Sequence, residues 1–311
     1  MTTALISHSA SLGHVTPPGH PERVARIEAV NEALTAPEFT LLVREEAPLA
    51  GDADVLRGHG RGYLDAVKAA IPASGWAQLD PDTYLSPGSL EAILRGLGAN
   101  LHAVDMLQAG EVRNAFCAIR PPGHHAEATR AMGFCLFSNA AIAAKHALDH
   151  HGLTRVAVVD FDVHHGNGTQ DILWDEPRAL FVSSHQMPLW PFTGAPEERG
   201  AHDNVLNVPL PPHADGARFR AEIERQVLPR LDAFAPDLVL VSAGFDAHRA
   251  DPLAQLDLGV EDFAWVTERL CDIADAHCGG RMVSTLEGGY DLDALGACVA
   301  AHVRVLMERG A

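Results

Sequence analysis

Apolar residues along this chain fall in short continuous runs rather than in strict alternation. The runs cover residues 4–7, 39–43, 115–119, 155–159, 180–183, 205–208, 238–241 and 282–286. A segment that is apolar throughout suits a strand buried on both faces, as in a parallel sheet. Between these runs the spacing changes to that of helices. Leu90, Ile93, Leu94, Leu97, Leu101, Val104 and Leu107 recur at the intervals that line one helix face. Residues 21–34, 138–150, 217–234, 261–276 and 292–307 carry helical patterns as well. This alternation predicts an α/β fold: a single domain over residues 1–311, with a mainly parallel, eight-stranded sheet flanked by helices. Two stretches, 72–88 and 186–205, are long for simple connections, and loops of that size often carry function.

Composition narrows the function classes. The chain has 311 residues, 47% hydrophobic and 21% charged, which supplies a sizeable core and argues against disorder. Lys and Arg number 23 against 41 Asp and Glu, a formal charge of −18. Nucleic acid and anionic membranes need positive surface, so neither is an expected partner. The five cysteines form no CxxC pair, which fits a reducing compartment. The first residues show no basic-then-apolar leader, and no run approaches the roughly 18 apolar residues of a membrane span. The expectation is a soluble, cytoplasmic protein, with homo-oligomerisation left open.

The polar clusters lie where the predicted strands end. Run 115–119 leads into Arg120-Pro121-Pro122-Gly123-His124-His125, and run 155–159 into Asp160-Phe161-Asp162-Val163-His164. Run 180–183 leads into Ser184-His185-Gln186, run 238–241 into Gly244-Phe245-Asp246, and run 282–286 into Glu287-Gly288-Gly289-Tyr290. In open parallel sheets that edge binds ligands. In extended backbone Asp160, Asp162 and His164 share one face while Phe161 and Val163 take the other. Two buried carboxylates beside an imidazole call for a cation. With Asp246 they make an Asp2His set that leaves an open position and suits zinc, iron(II) or manganese. The plainer reading of a lone DxH is a solvated loop; the preceding buried strand and four partner loops weigh against it.

His124 and His125 are suited to act as general base and acid beside a metal-held water, with Asp160 and Asn167 as candidates to fix their tautomers. Two structural histidines are the alternative. Tyr290 follows two glycines, where its hydroxyl could donate to a developing oxyanion; a packed aromatic beside a turn is the alternative.

Taken together, these residues resemble the histone deacetylase family, in the arginase–deacetylase fold. The resemblance includes His20-Pro21-Glu22-Arg23 with Arg26, the Arg120–His125 segment, Gly133-Phe134-Cys135, the segment from Asp160 to Gln170, Ser184-His185-Gln186, Gly244-Phe245-Asp246-Ala247-His248 and Glu287-Gly288-Gly289-Tyr290. Asn167 followed by Gly168-Thr169-Gln170 is similar to the class II branch, which holds bacterial deacetylase-like amidohydrolases and acetylpolyamine amidohydrolases. The resemblance implies zinc, with iron(II) as an alternative, on Asp162, His164 and Asp246. It implies His124 and His125 beside the metal water, Asp160 and Asn167 behind them, and Tyr290 on the acyl carbonyl. Because Asn167 is neutral where other branches carry Asp, His125 is expected to be less basic and readier to release its proton. A structural potassium is implied at Asp160, Asp162, His164, Ser183 and Ser184. Gly133, Phe134 and Trp190 are implied as substrate-tunnel walls, Leu253 as rim, Asp82 as a contact at the mouth and Arg26 as lining of an inner acetate pocket.

The implied reaction removes acetyl or another acyl group from acyl-lysine or acyl-polyamine. An arginase-like ureohydrolase is the same-fold alternative; it needs a second carboxylate set, which the residues after Asp162 do not supply. A catalytically silent ligand-binding homologue is the other, and it expects a lost tyrosine, histidine or ligand.

Overall fold

The computed structural model describes residues 2–310. Ten strands occur in chain order: β1 (Thr3–Ser7), β2 (Val43–Glu46), β3 (Ala77–Asp80), β4 (Thr83–Leu85), β5 (Asn114–Ala118), β6 (Val156–Asp160), β7 (Ala179–Gln186), β8 (Val205–Leu210), β9 (Leu238–Ala243) and β10 (Met282–Leu286). Eight of them form one sheet in the order β2-β1-β5-β10-β9-β6-β7-β8. Every pairing in it is parallel.

The apolar runs explain the sheet. β5, β6, β7, β9 and β10 are buried at every residue. Alternate side chains feed two cores. Leu5, Phe116, Val159, Val182 and Val241 pack on one face beneath the helices Val24–Ala33, Val260–Cys278 and Leu292–Gly310. Ile6, Cys117, Val158, Phe181 and Leu240 pack on the other beneath Ser89–Ala109 and Asn139–Asp149.

Two segments differ from the sequence reading. The apolar run 39–43 is not the edge strand: Phe39 ends a short 3-10 turn, Pro37–Phe39, and β2 begins at Val43. Its sequence, Val-Arg-Glu-Glu, is half-exposed and charged, as an unpaired sheet edge is expected to be. The stretch 72–88 is not wholly irregular, because β3 and β4 pair there as an antiparallel hairpin.

With all eight strands parallel, their C-terminal ends share one edge. β5, β10, β9, β6 and β7 are consecutive neighbours. The five polar segments singled out in the sequence therefore emerge side by side.

Candidate active site

The chain leaves β6 through two aspartates that capture backbone. Asp160 Oδ1 accepts from the Asp162 N–H at 3.0 Å, and Asp162 Oδ1 accepts from the His164 N–H at 2.9 Å. Short polar side chains that bond two residues onward pull the backbone out of the strand ladder. The strand accordingly ends at Asp160, yet the expected two-faced arrangement persists: Phe161 and Val163 enter the core, and Asp160, Asp162 and His164 stay together on the opposite side.

Asp246, at the end of β9, reaches the same point. Its Oδ1 accepts from the Val163 N–H at 2.9 Å and its Oδ2 lies 3.1 Å from His164 Nδ1. Asp162, His164 and Asp246 are buried, and one ligand atom of each lies within 4.8 Å of the others. Glycine is required around them. A Cβ on Gly244 would run into the Asp162 carboxylate, and one on Gly288 into that of Asp246.

The charges here are unbalanced. Burial disfavours a charged His164 ring, but the two carboxylates outweigh it and push its pKa up to about 10. Asp246 is pushed up to about 7 by burial and by the Asp162 charge. Without a cation, the trio must recruit a proton to neutralise itself. A divalent ion fits this donor set of two carboxylates and one imidazole.

The two histidines of the β5 loop stand beside the trio, their ring centroids 3.9 Å apart. His124 Nδ1 donates to Asp160 Oδ2 at 2.9 Å, and its Nε2 is 3.7 Å from Asp162 Oδ2. Burial opposes the charged form of His124, yet Asp162 and Asp160 outweigh it and hold its pKa well above the ordinary imidazole value. His125 is held well below that value by burial and by His124 and His164. Asn167 Nδ2 donates to Glu127 Oε1 at 2.8 Å, so its Oδ1 faces His125 and accepts from Nδ1 at 2.8 Å. A neutral His125 therefore carries its proton on Nδ1 and leaves Nε2 free.

Tyr290 is buried, with its ring 5.8 Å from that of Phe134 and the Arg26 guanidinium 4.8 Å from its centre. Burial pushes its pKa well above the ordinary phenol value, so the hydroxyl keeps its proton. Among the described residues the hydroxyl makes no hydrogen bond. Arg26 lies against the Tyr290 ring. It donates to the Gly289 and Glu287 carbonyls at 2.6 and 2.5 Å and clamps the turn that carries Tyr290.

The expected substrate contacts are tied to the loops that carry the histidines and the tyrosine. Phe134 holds a left-handed backbone (φ 69°), a strained setting for a bulky residue. Its N–H donates to Thr83 Oγ1, and the preceding Gly133 N–H donates to Asp82 Oδ1 at 3.1 Å. The β3–β4 hairpin thus holds this wall, and Asp82 spends one carboxylate oxygen on it. Trp190 stands opposite, 4.7 Å from the His125 ring centroid. A Cβ on Gly133 would press into both His125 and Trp190. The Leu253 N–H donates to Asp251 Oδ1 at 3.0 Å, and Asp251 Oδ2 accepts from the Tyr290 N–H at 2.7 Å, which ties the Leu253 loop to the tyrosine. On the far side of β6, Asp160 pairs with Ser183 across the ladder, and the Ser183 hydroxyl bonds His185 Nδ1 at 3.0 Å. Ser184 is buried beside them.

Three residues have positioning roles that the sequence reading did not assign. Glu287 Oε2 accepts from the Gly123 and His124 N–H groups at 2.6 and 3.2 Å and fixes the two-histidine loop. Asp251 does the work just described. Glu22 is buried between Arg120, at 2.7 Å, and Arg26, at 3.3 Å. Glu287 groups with His124 and Cys135, whereas Asp162 and Asp246 group with His164.

A profile described as Histone deacetylase domain matches residues 20–306. An uncharacterized protein of Synechocystis is 42% identical over 308 residues, covering 98% of this chain and 99% of that one. The histone deacetylase-like amidohydrolase of Pseudomonas aeruginosa is 41% identical over 287 residues, covering 89% of this chain and 75% of its own. Among solved structures, the HDA15 HD domain superposes with a TM-score of 0.94 at 33% identity, covering 99% of this chain and 88% of that one.

Proposed function

The chain belongs to the histone deacetylase family, and from that membership we propose a zinc-dependent amidohydrolase that frees a primary amine from its acyl group. The substrate class is acyl-lysine or acyl-polyamine. The observation that carries the reading is the buried Asp162–His164–Asp246 trio with His124, His125 and Tyr290 around it. The retained tyrosine, histidines and ligand set also speak against a silent binding homologue.

Asp162, His164 and Asp246 would hold the divalent ion, with zinc as the first choice and iron(II) the alternative. When bound, that ion lowers the pKa of a water and polarises the acyl carbonyl. His125 takes the water proton at Nε2, the atom its Asn167 bond leaves free. The same ring then hands that proton to the departing amine, which is a poor leaving group without it. His124, held by Asp160, favours its charged form and adds positive potential where negative charge develops. The Tyr290 hydroxyl donates to the oxyanion. Phe134 and Trp190 suit the apolar methylene stem of a lysine or polyamine, with Leu253 at the rim. Asp82 has one carboxylate oxygen left to meet a positive or amide group at the mouth. Asp160, Asp162, His164, Ser183 and Ser184 are proposed to hold a structural potassium, partly through backbone carbonyls.

The test is a steady-state comparison of acetyl-lysine peptides with acetylputrescine, acetylcadaverine and acetylspermidine. Turnover of at least one class is expected. No release of acetate from any of them by zinc-loaded protein would overturn the proposal.

A further inference from the structure

A second group of metal-binding side chains lies at the opposite edge of the sheet. The helices Ser89–Ala109 and Asn139–Asp149 lead into the parallel strands β5 and β6 respectively, so both helix C-termini sit at the strands' N-terminal edge. Asp105 is one turn from the end of the first helix. His146 is in the last turn of the second, and His150 and His151 follow it. One ligand atom from each of the four lies within 4.8 Å of the others. Asp105 Oδ1 lies 2.7 Å from both His146 Nε2 and His151 Nε2. The His146 and His150 rings are nearly parallel, 4.8 Å apart, and His151 crosses them at 5.2 and 4.8 Å.

Hydrogen bonding alone uses this set poorly. Two imidazoles share one carboxylate oxygen. His146 Nδ1 is buried with no partner, and among the described residues the His150 ring has no hydrogen bond. We propose that Asp105, His146, His150 and His151 form a second metal site, for a late first-row divalent cation of the zinc class. Three imidazoles with one carboxylate match such ions, whereas magnesium and calcium take oxygen ligands. Histidines four residues apart on one helix present both rings to one ion. The negative ends of two helix dipoles add attraction, and the net charge of −18 favours cations near the surface. His146 is buried while His150 is exposed, so an ion can enter from solvent. Coordination through Nε2 of His146 and His151 would leave each neutral ring its one proton on Nδ1 and pin the two helix ends together. This site does not depend on the catalytic reading.

The test counts zinc on metal-free full-length protein after equilibration and gel filtration. About two ions per chain are expected for the wild type and about one for H150A/H151A, both solvent-side changes. D162A/D246A should keep about one, and the combined variant none. Cobalt(II) added to D162A/D246A should give the visible absorption of a four-coordinate site, lost when H150A/H151A is added. Circular dichroism of each variant checks the fold. A zinc count in H150A/H151A equal to that of the wild type would overturn the second site. An unchanged count in D162A/D246A would instead strike the catalytic assignment.

Discussion

Replacing Tyr290 by Phe removes one hydroxyl from the site and nothing else. The ring keeps its place against Phe134, 5.8 Å away, and against the Arg26 guanidinium at 4.8 Å. The backbone keeps its bond to Asp251 at 2.7 Å. Among the described residues the hydroxyl has no hydrogen-bond partner, so its loss leaves no buried group unpaired. Stability should change by less than about 1 kcal/mol, a Tm shift of at most a few degrees. Catalysis should respond very differently. Loss of one preorganised oxyanion donor costs about 10²–10³ in kcat, or roughly 3–4 kcal/mol of transition-state stabilisation. KM should move little, since the donor acts mainly on the charge that develops during reaction. The assay is steady-state acetate release on the best substrate, with metal content and thermal melting measured on the same preparation. A fall in kcat of less than about fivefold, worth about 1 kcal/mol, would return Tyr290 to a packing role. Metal loss or a collapse in Tm would show that the ring, not the hydroxyl, carried the effect.

Asp162→Ala, His164→Ala and Asp246→Ala should each lose the catalytic-site metal or its turnover, as elemental analysis and kinetics will show; full occupancy with near-normal activity in any of them refutes the ligand set. His125→Ala should damage turnover more than His124→Ala, because only His125 has a free Nε2 placed to carry the proton through to the amine. Asn167→Asp places a carboxylate behind His125 and should raise its proton affinity, moving the acidic limb of kcat/KM to higher pH; an unmoved acidic limb argues against His125 as the first base. Glu22→Gln should cost about 3–5 kcal/mol in denaturant unfolding, since it strands the Arg120 guanidinium in the core. Burial alone would raise the Glu22 pKa, but Arg120 outweighs it and holds it well below the ordinary 4.5. Its contribution is therefore full above about pH 4.5 and fades as pH falls through the lower folded value, so Glu22→Gln should flatten the acid side of the stability profile.

The candidate site was legible in outline because each of its central residues follows an apolar run, and parallel strands deliver run ends to one edge. Asp160, Asp162 and His164 kept their shared face even though the strand stops at Asp160, because each aspartate side chain replaces a ladder bond with its own. What stayed hidden was work done on backbone. Glu287 and Asp251 act by accepting N–H groups from distant loops, and no spacing in the sequence announces such a bond. The bonds of Arg26 to the Gly289 and Glu287 carbonyls are of the same kind. The edge strand β2 was misplaced because its Arg and Glu residues carry no apolar signal. The β3–β4 hairpin was missed because its strands are short and only part-buried, yet it supplies the Asp82 and Thr83 contacts that hold the Phe134 wall.

A divalent ion on Asp162, His164 and Asp246 is proposed to drive amide hydrolysis. The most direct test is acetate release from an acetyl-lysine peptide and from an acetylpolyamine, by protein stripped with chelator and then titrated with zinc. The stripped protein should show no turnover, and activity should return with the first catalytic-site equivalent, in H150A/H151A as well as in the wild type. Full activity in verified metal-free protein, or none after the Asp162–His164–Asp246 site has been refilled, would contradict it.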